Sequence, residues 1–169
     1  ERHLYIGHGI YRAGSNIAWK NRNEIPEQIK ALRSYKNVQG SIYYNSSSFN
    51  RNPNGWNDSL QQNYYRYPAL VPPMPWIDNT IPPQPLVEKA NEYTFKLAYK
   101  GEEKIKGFAV FMHEGSEDPD FANSQLILFI PGDKTAVIDL TKLPGAKNKK
   151  VLIASVDIDN NVSPLRLLQ

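Results

Sequence analysis

The chain has 169 residues, of which 40% are hydrophobic, and it carries a formal net charge of +3. This apolar content suffices for a folded core and excludes an intrinsically disordered chain. No apolar run reaches the roughly 18–20 residues of a membrane-spanning helix, and the absence of cysteine excludes disulfides and thiolate metal sites. The basic residues are dispersed, and the densest run, residues 147–150, is interpreted as a solvated turn, so no nucleic-acid partner is expected.

Residues 1–80 alternate between strand and helix patterns. The predicted elements, strand, helix, strand and helix in turn, are His3–Tyr11, Glu24–Tyr35, Val38–Asn45 and Asp58–Tyr67. In the first helix Ile25, Ile29 and Leu32 share one face. The second helix is expected to be capped by Asn57 or Asp58. This order predicts parallel strands joined by crossover helices.

A proline-rich segment follows, with seven prolines between Pro68 and Pro85. Proline fixes φ and lacks a backbone donor, so the segment is predicted to be an extended connector. Its apolar residues Met74, Trp76 and Ile77 indicate that it packs against neighbouring structure. We therefore predict two domains, residues 1–80 including the connector and residues 84–169.

The second half alternates with a period of two, which is typical of strands. The predicted strands are Glu92–Tyr99, Ile105–His113, Gln125–Ile130, Thr135–Leu140, Lys150–Ile158 and Ser163–Leu168. The first of them places Tyr93, Phe95, Leu97 and Tyr99 on one face. Short strands separated by turn residues predict an all-β sandwich.

Several stretches carry a family resemblance. The phrase VLIASVDIDNNVSP (151–164) is similar to the next-to-last strand of a fibronectin type III domain and the turn after it. The stretches LYIGHGIYR (4–12), VQGSIYYNSSSF (38–49) and LQQNYYRYPALVPPMPW (60–76) resemble the barrel end of the glycosyl-hydrolase-like 10 family (the DUF187 group). The resemblance implies an α/β remnant, the last two β/α units of a TIM barrel, over residues 1–80, and a fibronectin type III-like sandwich over residues 84–169.

The resemblance also implies an enzyme that hydrolyses a glycan in the periplasm, on the outer surface or in the medium. Glycosidases use two carboxyl groups, which barrels place at the carboxyl ends of strands. Neither strand exit, residues 7–12 or 44–50, contains an acid. We therefore assign no catalytic residue, and we expect this chain to be inactive alone, with the catalytic pair on strands that it lacks. The alternative is a non-catalytic carbohydrate-binding or spacer module.

Polar and aromatic residues near the strand exits are the candidates for contact with sugar: His8, Tyr11, Arg12, Tyr44, Asn45 and Trp56. The competing interpretation places the tyrosines in the core and residues 45–54 in a polar loop. Both interpretations stand for His8, Tyr44 and Asn45, whereas core or loop is favoured for the other three. Open strand edges in the barrel remnant also make a homo-oligomer possible.

No cofactor or metal site is expected. The three histidines are isolated in the sequence and have no metal-ligand spacing. The motif Asp157-x-Asp159-x-Asn161 begins like an EF-hand loop, but Val162 replaces its glycine and Leu168 its closing glutamate. We interpret this motif as a turn between strands.

Overall fold

A computed structural model describes residues 2–132, 134–146 and 148–168. Lys147 of the basic run and the outermost residues of the two predicted domains, Glu1 and Gln169, lie outside the described residues. The chain forms two compact units, Glu1–Arg66 and Tyr67–Gln169. Within the described residues, every helix is too short or too polar to span a bilayer.

The first unit contains two strands with helices between and after them. Its elements are β1 (Leu4–His8), a 3-10 turn (Ile10–Arg12), α1 (Ile17–Lys20), α2 (Glu24–Arg33), β2 (Val38–Tyr43), α3 (Ser46–Asn50), a 3-10 turn (Pro53–Gly55), α4 (Trp56–Ser59) and a π-helical stretch (Leu60–Tyr64). β1 and β2 pair in parallel, with His8 opposite Tyr43. The pairing is the parallel arrangement expected from the alternating elements.

The long helix α2 supplies much of the core of this unit. Ile25 and Ile29 are fully buried and meet Ile10, Trp56 and Leu60 in one apolar cluster. Burial of each such side chain contributes about 1.5–3 kcal/mol. The helix has acidic residues in its first turn and basic residues in its last, which complements the helix dipole.

The segment after β2 differs from the sequence expectation. Residues 46–50, expected to lie in a polar loop, form α3, and α4 begins at Trp56, before the predicted start at Asp58. Neither predicted cap residue acts as a cap. Instead, the side-chain oxygen of Asn52 accepts hydrogen bonds from the backbone N–H groups of Asn57 and Asp58, at 3.0 and 3.4 Å. An earlier asparagine therefore satisfies two of the free N–H groups at the start of this helix.

The second unit consists of antiparallel strands. They are β3 (Leu86–Lys89), β4 (Thr94–Ala98), β5 (Ile105–His113), β6 (Ser124–Pro131), β7 (Thr135–Asp139), β8 (Lys150–Asp157) and β9 (Arg166–Leu167), with a 3-10 turn at Leu140–Lys142. They form one sheet of order β3-β4-β7 and another of order β6-β5-β8-β9. Leu97 of β4, Phe108 of β5 and Ile153 of β8 belong to one apolar cluster, so both sheets contribute to a common core.

The core face of β4 follows the alternation except at its start. Phe95, Leu97 and Tyr99 are buried as predicted, but Tyr93 is 42% exposed. Tyr93 precedes the first residue of β4, and its backbone N–H donates to the side chain of Asn91. The residue thus belongs to the turn, where the two-residue period does not apply.

The central strands β5 and β8 are buried on both faces. A second apolar cluster contains Phe111 of β5 and Leu152 and Val156 of β8, and Leu70 packs against it. Leu70 lies in the proline-rich connector, which therefore covers part of the outer face of the larger sheet.

The predicted boundary assigned the connector to the first domain, residues 1–80. In the structure the connector belongs to the second unit, which begins at Tyr67. The N–H of Met74 donates to the carbonyl of Asp159 at 3.1 Å, and the side chain of Asn161 donates to the carbonyl of Asp78 at 3.2 Å. Ile77, expected to pack, is 62% exposed. Both hydrogen bonds use backbone groups of the connector, and hydropathy does not reveal such contacts.

These contacts predict where an independent second unit must begin. We expect residues 67–169 to fold alone and to unfold at a higher temperature than residues 84–169, because the shorter piece loses Leu70 and the two connector hydrogen bonds. Thermal melts and amide dispersion in NMR spectra of the two pieces measure this difference. Equal melting temperatures would show that the connector adds nothing to the unit.

Candidate functional site

A groove of about 600 Å³ opens at the carboxyl ends of β1 and β2. Its lining residues are Gly7, His8, Gly9, Tyr11, Arg12, Trp19, Ile42 and Tyr44. Because the strands are parallel, their exit loops emerge on the same side of the pair. The topology thereby brings together four of the predicted site residues, His8, Tyr11, Arg12 and Tyr44.

Aromatic rings and one cation form the exposed part of the groove. Tyr11 and Tyr44 are 57% and 66% exposed, and their rings meet edge to face with centroids 5.7 Å apart. The guanidinium of Arg12 lies 5.0 Å from the centre of the Trp19 ring. A cation over an indole face is an attractive arrangement. The groove therefore presents apolar faces beside the hydrogen-bond donors of Arg12.

Sequence reasoning missed Trp19. It lies in α1, a four-residue helix too short to show a hydrophobic period, and the helix is capped by the side chain of Asn16. The ring of Trp19 packs edge to face against Trp56 with centroids 6.2 Å apart. An aromatic residue shortly after a strand exit was the available signal.

His8 is buried and fixed by a chain of hydrogen bonds. Its Nδ1 lies 2.9 Å from Oε1 of Gln28, and its Nε2 lies 2.9 Å from Oγ of Ser41. Gln28 in turn donates through Nε2 to a carboxylate oxygen of Glu24 at 2.8 Å. Since this donor fixes the amide orientation, Gln28 presents its oxygen to His8, and the proton of the uncharged ring lies on Nδ1. The ring also stacks on Tyr43, with centroids 4.9 Å apart.

His8 therefore lines the groove with its ring held in a fixed orientation. Only 3% of the residue is exposed, and both ring nitrogens have partners. The network joins α2 to β1 and β2 at the point where the strands end.

Asn45 is not among the groove residues. Its side-chain oxygen accepts from the N–H of Ser48 at 3.1 Å and from the hydroxyls of Ser47 and Ser48 at 2.6 and 3.1 Å. The residue thus caps α3, and the peptide bond between Tyr44 and Asn45 is cis. The structure gives Asn45 a local structural role at the exit of β2.

Trp56 also lies away from the groove. The residue is 2% exposed, and its Nε1 donates to the carbonyl of Arg22 at 2.9 Å. A buried indole with a satisfied donor is a core residue. Of the two interpretations that the sequence left for Trp56, its position corresponds to the core.

No aspartate or glutamate is among the described residues that line the groove. Glu24 accepts a hydrogen bond from Gln28, and Asp58 accepts one from Asn52 at 2.7 Å. Neither acid is among the lining residues. The groove has the groups to bind and orient a ligand, but it lacks the paired carboxyl groups that glycoside hydrolysis requires.

Comparison with known proteins gives a partial relationship. No family model matches the chain. Over 92 residues the chain is 41% identical to the protein named Glycosyl hydrolase YngK from Bacillus subtilis (strain 168). The chain is thus similar in part to a protein named as a glycosyl hydrolase. The aligned stretch covers 53% of this chain and 18% of that relative, so the match spans less than a fifth of the relative's length.

Tyr43 provides a spectroscopic test of the packing beneath the groove. Burial raises the pKa of the Tyr43 phenol above its ordinary value of 10.0, and the hydrogen bond to Tyr65, with 2.7 Å between the oxygens, raises it further. A raised pKa means that the folded chain holds the proton more tightly. The resulting stabilisation is fully present below about pH 10 and is lost as the pH rises through the folded-state pKa.

We therefore expect the alkaline titration of tyrosinate absorbance to contain a component above pH 10, and Tyr43→Phe to reduce its amplitude by one tyrosine. Part of the component remains in this variant, because burial raises the pKa of Tyr99 and a hydrogen bond to Glu92 raises that of Tyr93. The Tyr35→Phe variant changes an exposed tyrosine of the same unit and serves as the control, which should leave the component above pH 10 intact. An amplitude in Tyr43→Phe equal to that of the wild type would contradict the assignment.

Proposed function

We propose that the chain is the C-terminal part of a glycoside hydrolase that acts on a polysaccharide or on a glycan of the cell envelope. The similarity to a protein named as a glycosyl hydrolase supports the enzyme class. In this proposal the first unit supplies the last two β/α units of a (β/α)8 barrel. The full-length protein works in the periplasm, at the outer surface or in the medium.

The barrel interpretation draws support from the topology of the first unit. β1 and β2 are parallel neighbours joined through α2, which is the repeating unit of such barrels. In the described residues each strand has a single neighbour, so one edge of each is free to pair. Further strands of a barrel would satisfy these edges, and self-association through them is the proposed route to a homo-oligomer.

The second unit fits a fibronectin type III-like sandwich. Its seven strands divide into a sheet of three and a sheet of four, and both contribute to one core. The segment 151–164, which carries the sequence resemblance, spans β8, the turn after it and the residues before β9. In the proposed protein this unit is an accessory module that follows the barrel in the sequence.

The observation that carries the function is the position and composition of the groove. Active sites of (β/α)8 barrels lie at the carboxyl ends of the strands, and this groove lies there. Tyr11 and Tyr44 offer aromatic surface to the C–H faces of a sugar ring, and Arg12 offers planar donors to its oxygens. The groove is thus a binding part of a larger carbohydrate site.

The first test is sugar binding. We expect oligosaccharides from a polysaccharide panel to shift NMR signals of residues in the groove, and Tyr44→Ala to weaken that binding about tenfold, equivalent to about 1.4 kcal/mol. Tyr35→Ala is the matched control, because Tyr35 is 63% exposed in the same unit and does not line the groove. Equal effects of the two substitutions would contradict a site in the groove.

The second test is the absence of turnover. Without a carboxylate in the groove, we expect no hydrolysis of polysaccharides or aryl glycosides by the purified chain, since the carboxyl pair supplies most of the rate enhancement. The measurement is reducing-sugar release over long incubations at high protein concentration. Turnover that follows the protein through repurification would overturn the assignment of binding without catalysis.

The alternative function is a non-catalytic carbohydrate-binding or spacer module centred on the second unit. Its favouring observation is that this unit has its own core and its own connector. Titration of residues 67–169 with the same oligosaccharides distinguishes the two proposals. Binding by this piece, together with unchanged binding in Tyr44→Ala, would favour the module.

A further inference from the structure

A side-chain hydrogen bond joins the two segments that follow β1 and β2. The first exit segment, residues 9–23, lies between β1 and α2, and the second exit segment, residues 44–56, runs from the end of β2 to the start of α4. In the second segment, Nδ2 of Asn54 donates to the backbone carbonyl of Trp19 in the first, at 2.9 Å. Because a carbonyl only accepts, the amide of Asn54 presents its nitrogen to this partner.

The first exit segment depends on contacts from outside itself. Among the described residues its other hydrogen bonds stay within the segment or run to the first turn of α2, except that Nε1 of Trp56 donates to the carbonyl of Arg22. Helix α1 has four residues, too few for a stable isolated helix, and Ile17 at its start is 90% exposed. The bond from Asn54 and the packing of Trp19 on Trp56 therefore hold this helix in place.

The backbone at residue 54 suits asparagine. Asn54 has φ 54° and Gly55 has φ 71°, so both lie in the left-handed region. Asparagine adopts this conformation more readily than most residues other than glycine. Glycine at position 54 would keep the backbone but lose the donor, and aspartate would turn an oxygen toward the carbonyl of Trp19. Backbone and side chain together thus favour asparagine at this position.

We propose that Asn54 is a positioning residue of the groove, which acts through Trp19 on the guanidinium of Arg12. Trp19 lines the groove, whereas Asn54 is not among the lining residues. The guanidinium of Arg12 lies 5.0 Å from the centre of the Trp19 ring, and among the described residues Arg12 joins no ion pair. The ring of Trp19 therefore sets where this guanidinium lies, and Asn54 holds the backbone that carries the ring.

The tether keeps the groups of the two exit segments in a fixed relation. Arg12 and Trp19 belong to the first segment, and Tyr44 belongs to the second. A sugar that contacts both segments binds more tightly when they are already in place, because less conformational freedom is lost on binding. This role rests on the proposed binding of sugar in the groove.

The first experiment measures the order of Trp19 without any ligand. The chain has three tryptophans, so its indole N–H signals are assigned in NMR spectra by single substitutions to phenylalanine. We expect Asn54→Gly and Asn54→Asp to lower the order parameter of the Trp19 indole N–H while the spectrum stays dispersed. Asn63→Asp makes the same chemical change at an exposed residue of the same unit and should leave the Trp19 signal unchanged.

The second experiment is a double-mutant cycle on oligosaccharide affinity. Asn54→Gly should weaken binding by roughly three- to tenfold, the loss expected for one hydrogen bond. In the Trp19→Ala background the same substitution should cause no further loss, because the residue through which Asn54 acts is gone. A purely structural role for Asn54 would instead weaken binding equally in both backgrounds.

Two results would overturn the proposal. One is a Trp19 order parameter that changes no more in the Asn54 variants than in Asn63→Asp. The other is an equal loss of affinity from Asn54→Gly with and without Trp19. If the wild type binds no sugar, the proposed function fails, and the order parameters of Trp19 alone decide the role of Asn54. Asn54→Asp, which keeps the size of the side chain, replaces the glycine variant if the latter does not fold.

Discussion

The parallel pairing of β1 with β2 is the constraint on which the first unit depends. It brings both strand exits to one side and sets His8 opposite Tyr43, where their rings stack. A chain of hydrogen bonds from Glu24 through Gln28 to the buried His8 and on to Ser41 then ties α2 to both strands. The network favours this arrangement, because a slip of either strand leaves ring nitrogens of the buried His8 unpaired. The groove at the ends of these strands is therefore held in a defined geometry.

In the second unit the organising constraint is burial on both faces of β5 and β8. Such strands present apolar side chains to two sides, and only one side faces the other sheet. The outer side therefore needs a cover. A proline-rich segment suits this role because it stays extended, and Leu70 within it supplies apolar contact. The proline-rich segment marks the division between the two halves of the sequence, yet in the structure it packs within the second unit.

The sequence predicted features set by local periodicity and could not predict those set by distant contacts. Helix α2 and the buried alternation of β4 follow from repeating patterns within a few residues. The position of Trp19 in the groove and the approach of Asp78 to Asp157 depend on tertiary folding. Sequence spacing carries no information about such pairs until the topology is known.

The attachment of the connector also gives the protein a mechanical property. A pull that enters the second unit from residue 67 reaches the bonds of Met74 to Asp159 and of Asp78 to Asn161 before it reaches β3. These bonds and the packing of Leu70 lie ahead of the sheet along the chain, so we expect them to release first while the strands stay paired. Residues 67–83, which precede the hydrogen bond of Gln84 to Leu165, then become a free segment that extends up to roughly 60 Å. The connector can therefore lengthen under tension while the two sheets of the second unit stay folded.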